Sequence, residues 1–175
     1  MTLGQRLVER FEWIEGHADV WRLFSDAVLL HELAAGLAAP FSAAEVTKVA
    51  GVESRGFIVG GGVATHLGVG FVAIRKAGGL LPGAKVERRT APDYRGLENV
   101  LRLQRAAVST VDRVLLVDDW VEVGSQALAA KALIEEAGGT YAGCSVIVDD
   151  TTADVRAELE PFSALVPVSA LGPDT

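Results

Sequence analysis

The chain has 175 residues, 50% of them hydrophobic and 22% charged, which suits one compact domain with a sizeable core. Sixteen basic against 23 acidic side chains leave a net charge of −7, which excludes a broad cationic face for nucleic acid or anionic lipid but not a local basic pocket. The lone cysteine, Cys144, excludes an internal disulfide and a cysteine-built metal cage, and a reducing cytoplasm fits it best. The first residues run into Glu9, Glu12 and Glu15 rather than an apolar export core, and no apolar run approaches about 18 residues, so neither secretion nor a membrane span is expected.

Residues 3–37 carry a helical pattern, with Leu7, Phe11 and Ile14 on one face, a restart at Val20, Leu23 and Phe24, then Val28, Leu29, Leu33 and Leu37, closed by Gly36 and Pro40. A buried strand is expected over 46–52, a polar turn at Glu53-Ser54-Arg55-Gly56, a short helix over 57–66 and a second strand over 69–74 ending on Arg75-Lys76. Segment 77–92, rich in glycine, proline and charge, reads as a mobile loop with a short strand near Val86. Residues 100–104 alternate as a strand. Residues 113–119 form the clearest one, because Val114-Leu115-Leu116-Val117 is continuously apolar, as when both faces are covered. A helix over 124–137 ends on Gly138-Gly139, and strands follow over 141–148 and 165–168. Strands alternating with helices give an α/β fold, a doubly wound and mainly parallel sheet, in a single domain over 1–175. Residues 1–45 would form an N-terminal helical hood and 46–150 the core.

In such a sheet ligands collect at the carboxyl ends of the strands. One strand end delivers Asp118-Asp119, then Trp120-Val121-Glu122-Val123-Gly124-Ser125-Gln126 leading into a helix. Paired carboxylates can accept hydrogen bonds from sugar hydroxyls, and the turn at 123–126 aims backbone N–H groups toward an anion. A solvated acidic turn capping a helix is the plainer alternative. Two further strand ends carry Arg55, Arg75 and Lys76, cations suited to phosphate oxygens or simply to water. Gly60-Gly61-Gly62 lacks nucleotide-binding spacing and reads as helix-to-sheet packing. His17, His31 and His66 lack metal-like spacing and read as surface or helix-packing residues. Cys144 reads as an inert core thiol, and Asp149-Asp150 as a solvated strand end with no comparable helix after it.

At these residues the chain resembles the type I phosphoribosyltransferases, and among them the adenine phosphoribosyltransferases. Val49-Ala50-Gly51-Val52-Glu53-Ser54-Arg55-Gly56-Phe57 resembles their pyrophosphate loop, as does the stretch from Leu67 through Arg75-Lys76 to Leu81-Pro82-Gly83. Residues 114–126 resemble the phosphoribosyl-pyrophosphate motif, and Leu101-Arg102-Leu103-Gln104 the strand before it. The resemblance implies exchange of the pyrophosphate of phosphoribosyl pyrophosphate for a nitrogen base, adenine leading, with Mg²⁺ bound mainly through the substrate. It implies that Asp118 and Asp119 position the ribose, and that Val123, Gly124, Ser125 and Gln126 hold the 5′-phosphate. Glu53, Ser54, Arg55, Arg75 and Lys76 would surround the pyrophosphate. Segment 77–96, with Asp93-Tyr94, would close over the site, and Tyr94 would contact substrate. A cis Glu53-Ser54 peptide and a cytoplasmic homodimer are further implications.

The departures are specific. Family members of the adenine class read Asp-Asp-Leu-Leu-Ala-Thr-Gly-Gly-Thr, where this chain has Asp118-Asp119-Trp120-Val121-Glu122-Val123-Gly124-Ser125-Gln126. Val123 removes a phosphate-contacting hydroxyl, and Gly79 stands where a lysine is common. Glu122 occupies the place where 6-oxopurine enzymes keep an acid, so it is expected to act as base or acceptor toward the incoming heterocycle, or else to sit as a helix-end charge. Transfer to another base, and a regulatory protein that binds phosphoribosyl pyrophosphate without turnover, are the competing expectations.

Overall fold

The computed structural model describes residues 1–93 and 95–172. Helix α1 (Leu3–Arg10) opens on a reciprocal cap in which Thr2 and Gln5 each bond the other's backbone N–H. Between the first face and its restart at Val20, the helical pattern expected over 3–37 gives way to a turn. Glu15 and Gly16 both take positive φ, 51° and 75°, and turn a small hairpin of β1 (Trp13–Ile14) and β2 (His17–Ala18). Helix α2 (Trp21–Ser25) follows, and Asp26 then starts α3 (Ala27–Ala38) by accepting from the N–H groups of Val28 and Leu29. Gly36 lies inside α3 rather than ending it.

The core elements are β3 (Lys48–Val52), α4 (Arg55–Leu67), β4 (Gly70–Lys76), β5 (Lys85–Arg89), β6 (Val100–Gln104), β7 (Arg113–Val121), α5 (Ser125–Glu136), β8 (Thr140–Asp149), α6 (Ala153–Glu158) and β9 (Phe162–Pro167). Among the described residues these strands form a seven-stranded sheet in the order β5-β6-β4-β3-β7-β8-β9. Pairing is parallel from β4 through β9, while β6 joins β4 and β5 antiparallel. The short strand expected near Val86 is β5, an edge strand: Val86 is buried, and Glu87, Arg88 and Arg89 face water and discourage edge pairing. Helix α6 was hidden because its short polar sequence has no apolar stripe.

Helices cover both faces. Leu115 and Val117 point into the cluster formed with α1 to α4, and Val114 and Leu116 into the cluster formed with α5. All four are 0% exposed, each burial contributing about 1.5–3 kcal/mol, which is why this strand has no polar face. Cys144 lies fully buried beside them, and burial pushes its thiol well above the usual range, as suits an inert core residue.

The amino ends of β3 and β7 are joined through Asp112. Its Oδ2 accepts from Lys48 Nζ at 2.9 Å, Ser109 N at 2.7 Å and Ser109 Oγ at 2.7 Å, and its Oδ1 from Thr47 Oγ1 at 3.1 Å. Burial opposes ionisation, but the bonds from Ser109, Lys48 and Thr47 outweigh it and hold the carboxyl at about 2, against 3.8 for a free one. A depressed carboxyl stabilises the fold above pH 3.8 and loses that contribution as pH falls toward 2. Asp112→Asn is expected to cost about 1–3 kcal/mol at neutral pH, with wild type and variant converging in acid. Denaturant midpoints across that range test this. Turnover should be unchanged, because Asp112 lies at the opposite ends of the strands from the site below.

Candidate active site

The carboxyl ends of β3, β4 and β7 and the amino end of α5 open on one cleft of about 470 Å³. Strand β7 stays paired with β8 as far as Val121, so Asp118 and Asp119 sit on a fixed strand rather than a loose turn. Asp119 is buried and donates its backbone N–H to Asp118 Oδ1 at 2.9 Å. Arg55 Nε lies 3.1 Å from Asp119 Oδ2, yet is not aligned to donate, leaving that buried oxygen without a hydrogen-bond partner. Burial, and then the neighbouring charge of Asp119, push the Asp118 carboxyl well above the usual carboxylate range. Burial raises Asp119 too, against the pull of Arg55. The pair is held partly desolvated, close together, and ready to accept hydrogen bonds.

Gly124 begins α5 with φ +73° and no side-chain cap, so the first N–H groups of the helix face the cleft with the positive end of its dipole. A β-carbon at Gly124 would also lie 2.4 Å from Val155 Cγ1 of α6, so the turn is fixed from behind. The same cleft is lined by Glu53, Ser54 and Arg55 after β3, with the Glu53-Ser54 peptide cis, and by Lys76 at the end of β4.

The cleft thus brings together Glu53, Ser54, Arg55, Lys76, Asp118 and Asp119, along with Glu122, Val123, Gly124, Ser125 and Gln126. Arg75 is not part of its lining. Its Nε donates to Glu53 Oε2 at 2.8 Å and its Nη1 to Leu80 O at 2.8 Å, so it supports the turn from outside. Tyr94 lies outside the described residues. Trp13 and His17 carried no site signal in the sequence, whereas Trp120 and Asp93 lie in segments expected at the site. Trp13 and His17 enter from the β1–β2 hairpin, placing His17 at the mouth of the cleft, and Trp120 projects from β7. Asp93, which accepts from the N–H groups of Arg95 and Leu97, brings Arg95 in as a further cation. Asp149 and Asp150 are not a simple solvated end: Asp149 bonds Thr151 and Arg156 of the following α6, and Asp150 faces the cleft. The glycine triplet splits: a β-carbon at Gly60 would lie 2.9 Å from Phe71, one at Gly62 3.5 Å from Ala34, and one at Gly61 in open space.

A doubly wound sheet with paired carboxylates beside an uncapped helix start and two facing cations defines a protein that handles a phosphorylated sugar. Residues 29–162 match the phosphoribosyl transferase domain family. The adenine phosphoribosyltransferase of Nitrosospira multiformis is 41% identical over 142 residues, covering 81% of this chain and 79% of that one. That of Streptomyces coelicolor is 37% identical over 153 residues, covering 87% and 82%. The crystal structure of the Rhodothermus marinus adenine phosphoribosyltransferase superposes with a TM-score of 0.84 at 30% identity, over 95% of this chain and 98% of that one. The Giardia lamblia enzyme complexed with 9-deazaadenine superposes at 0.82 and 30% identity with the same coverage. The chain belongs to the phosphoribosyltransferase family and is an enzyme of that class.

The raised carboxyl of Asp118 has a consequence for stability. Its ionised form is penalised in the folded protein, a penalty present at neutral pH and relieved as pH falls through the raised value. Asp118→Asn removes the charge and keeps an oxygen for the Asp119 N–H. The variant is expected to melt about 2–4 °C higher at neutral pH for each kcal/mol relieved, while turnover falls more than about tenfold. Calorimetry and steady-state rates on the same preparation check both.

Proposed function

We propose that this enzyme transfers the phosphoribosyl group of phosphoribosyl pyrophosphate to adenine, releasing pyrophosphate and forming adenosine monophosphate. The observation that carries this reading is the shared cleft: two carboxylates with Arg55 beside them, an uncapped helix start and Lys76 all line it. The relatives named for adenine, and the 9-deazaadenine complex of the Giardia protein, support the choice of base. Asp118 and Asp119 accept from the ribose hydroxyls and favour the positive charge that builds on the ring as its bond to pyrophosphate breaks. The amides of residues 123–126 hold the 5′-phosphate, with Gln126 in place of a threonine as side-chain donor. Ser54, Arg55 and Lys76 receive the charge of the leaving group, and Arg95 lines the same cleft as a further cation. Two adjacent carboxylates, one with a buried oxygen lacking a donor, suit a hard cation held mostly by substrate oxygens and water. Asp118 and Asp119 are the residues that would meet Mg²⁺, which when bound neutralises the leaving pyrophosphate. A cytoplasmic homodimer, implied by the resemblance, completes the proposal; no helix among the described residues is long and apolar enough to cross a membrane.

Mixing the protein with phosphoribosyl pyrophosphate, Mg²⁺ and a panel of bases should yield nucleotide and pyrophosphate with adenine. Binding of phosphoribosyl pyrophosphate without turnover on any base would favour a regulatory protein instead.

One observation favours a second reading, transfer to a base with an exchangeable ring N–H. Glu122 lines the cleft, and burial, then Asp150 and Asp93, raise its carboxyl above the usual range. A raised carboxylate is a stronger base and loses that role as pH falls through its raised value. If Glu122 handles a ring proton, Glu122→Gln should cut transfer more than about tenfold with phosphoribosyl pyrophosphate affinity retained. The wild-type rate should also decline in acid earlier than for an unperturbed glutamate. Wild-type transfer by Glu122→Gln would leave it a charge at the start of α5, worth about 0.3–1 kcal/mol.

A further inference from the structure

We propose that Arg102, a residue of β6 outside the cleft, is a positioning residue that fixes Lys76 for the pyrophosphate group; this rests on the functional reading above. Arg75 and Arg102 are direct partners across the antiparallel β4–β6 pair, an arrangement of like charges that is unfavourable unless each cation is separately satisfied. Glu87 of β5 lies on the other side of Arg102, but the hydrogen bonds of Arg102 go elsewhere, to the chain leaving β4. Arg102 Nη2 donates to Lys76 O at 3.3 Å and to Gly79 O at 2.5 Å. Lys76 is therefore held on both sides of its α-carbon, because its N–H donates to Glu53 Oε1 at 2.8 Å while its carbonyl accepts from Arg102. Glu53 is in turn the acid that satisfies Arg75.

The remaining contacts complete the clamp. Arg75 Nη1 holds Leu80 O, and Gln104 Nε2 of β6 holds Pro82 O at 2.9 Å. Four carbonyls between residues 76 and 82 thus accept from three side chains on β4 and β6. A β-carbon at Gly79 would lie 2.6 Å from Arg75 Nη2, so a side chain there would push directly on the clamp. The turn after β4 is stitched to the sheet, and Lys76 is the cleft residue that this stitching fixes. Holding a cation in place before the ligand arrives removes part of the ordering cost of binding.

Calorimetric titration of the full-length protein with magnesium pyrophosphate tests the inference on Arg102→Met and Arg102→Lys. The methionine keeps the stem and loses both bonds; the lysine keeps the charge but ends one bond short of Nη2, the single nitrogen that reaches both carbonyls. Pyrophosphate affinity is expected to fall about tenfold in the methionine variant and most of that in the lysine variant. KM for phosphoribosyl pyrophosphate should rise while KM for the base and the melting temperature stay near wild type. Gly79→Ala should produce the same selective loss from the opposite side. Full affinity in both Arg102 variants would overturn the inference, as would recovery by lysine, which would make the effect one of charge alone. A uniform loss of all ligands together with a lower melting temperature would overturn it too, since Arg102 would then be structural. If wild type itself binds no pyrophosphate, the functional reading fails rather than the role of Arg102.

Discussion

Two adjacent carboxylates resist being placed side by side at a buried strand end, and much of the surrounding sequence exists to keep them there. Asp118 is steadied by the Asp119 N–H, and Arg55 approaches Asp119 from the first turn of α4. That approach requires α4 to lie close against β3. A β-carbon at Gly51 would sit 2.2 Å from Gly56 O, and one at Gly56 would sit 2.8 Å from Asp118 Oδ1. Real side chains at either position would drive the helix outward and take Arg55 with it. The glycines are therefore a condition of the electrostatics, through backbone approach rather than through conformational freedom.

The same sheet treats aspartate in opposite ways at its two ends. At the amino ends of the strands, Asp112 has a full set of donors and a lysine, and its carboxyl is depressed. At the carboxyl ends, Asp118 and Asp119 are desolvated with fewer donors than oxygens, and both are raised. The first arrangement stabilises the fold. The second costs stability and leaves acceptors ready for a ligand, so the division of the sheet into a structural and a chemical end is visible in charge as well as in topology.

What the sequence disclosed followed from how each signal is encoded. The apolar run of β7, the alanine-rich helix after it and the charged strand ends are local patterns, so the sheet and most of the cleft were legible. The hairpin at Glu15-Gly16 was not, because it breaks a helical stripe by backbone conformation alone. Strand β5 was legible only as a short strand near Val86, because at an edge position only that residue needs to be apolar. Arg75 has the sequence context of a ligand-binding cation, and only the fold reveals that Glu53 and Leu80 occupy it. The entry of Trp13, His17 and Asp150 into the cleft depends on contacts between distant segments, which no local spacing records.

Those distant contacts also bear on how the cleft is organised. Trp120 lies between Asp119 and Glu122, where the adenine-class motif has a leucine, and its larger ring reaches the hood. It meets Trp13 edge-on at 6.0 Å and 74°, while Trp13 meets Phe11 at 5.3 Å and 84°. Trp13 Nε1 donates to Gly172 O at 3.3 Å, so the hairpin is tied to the far end of the described chain as well. Aromatic pairs of this geometry contribute about 0.5–1.5 kcal/mol each beyond the area they bury. The strand that carries the carboxylates and the hairpin that overhangs the cleft therefore share one aromatic cluster. A displacement of Trp120 changes the packing of Trp13 on the opposite wall. The β1–β2 hairpin is thus mechanically continuous with the strand that carries Asp118 and Asp119, which gives a substitution at Trp120 a route to the Trp13 lining of the cleft without touching either carboxylate.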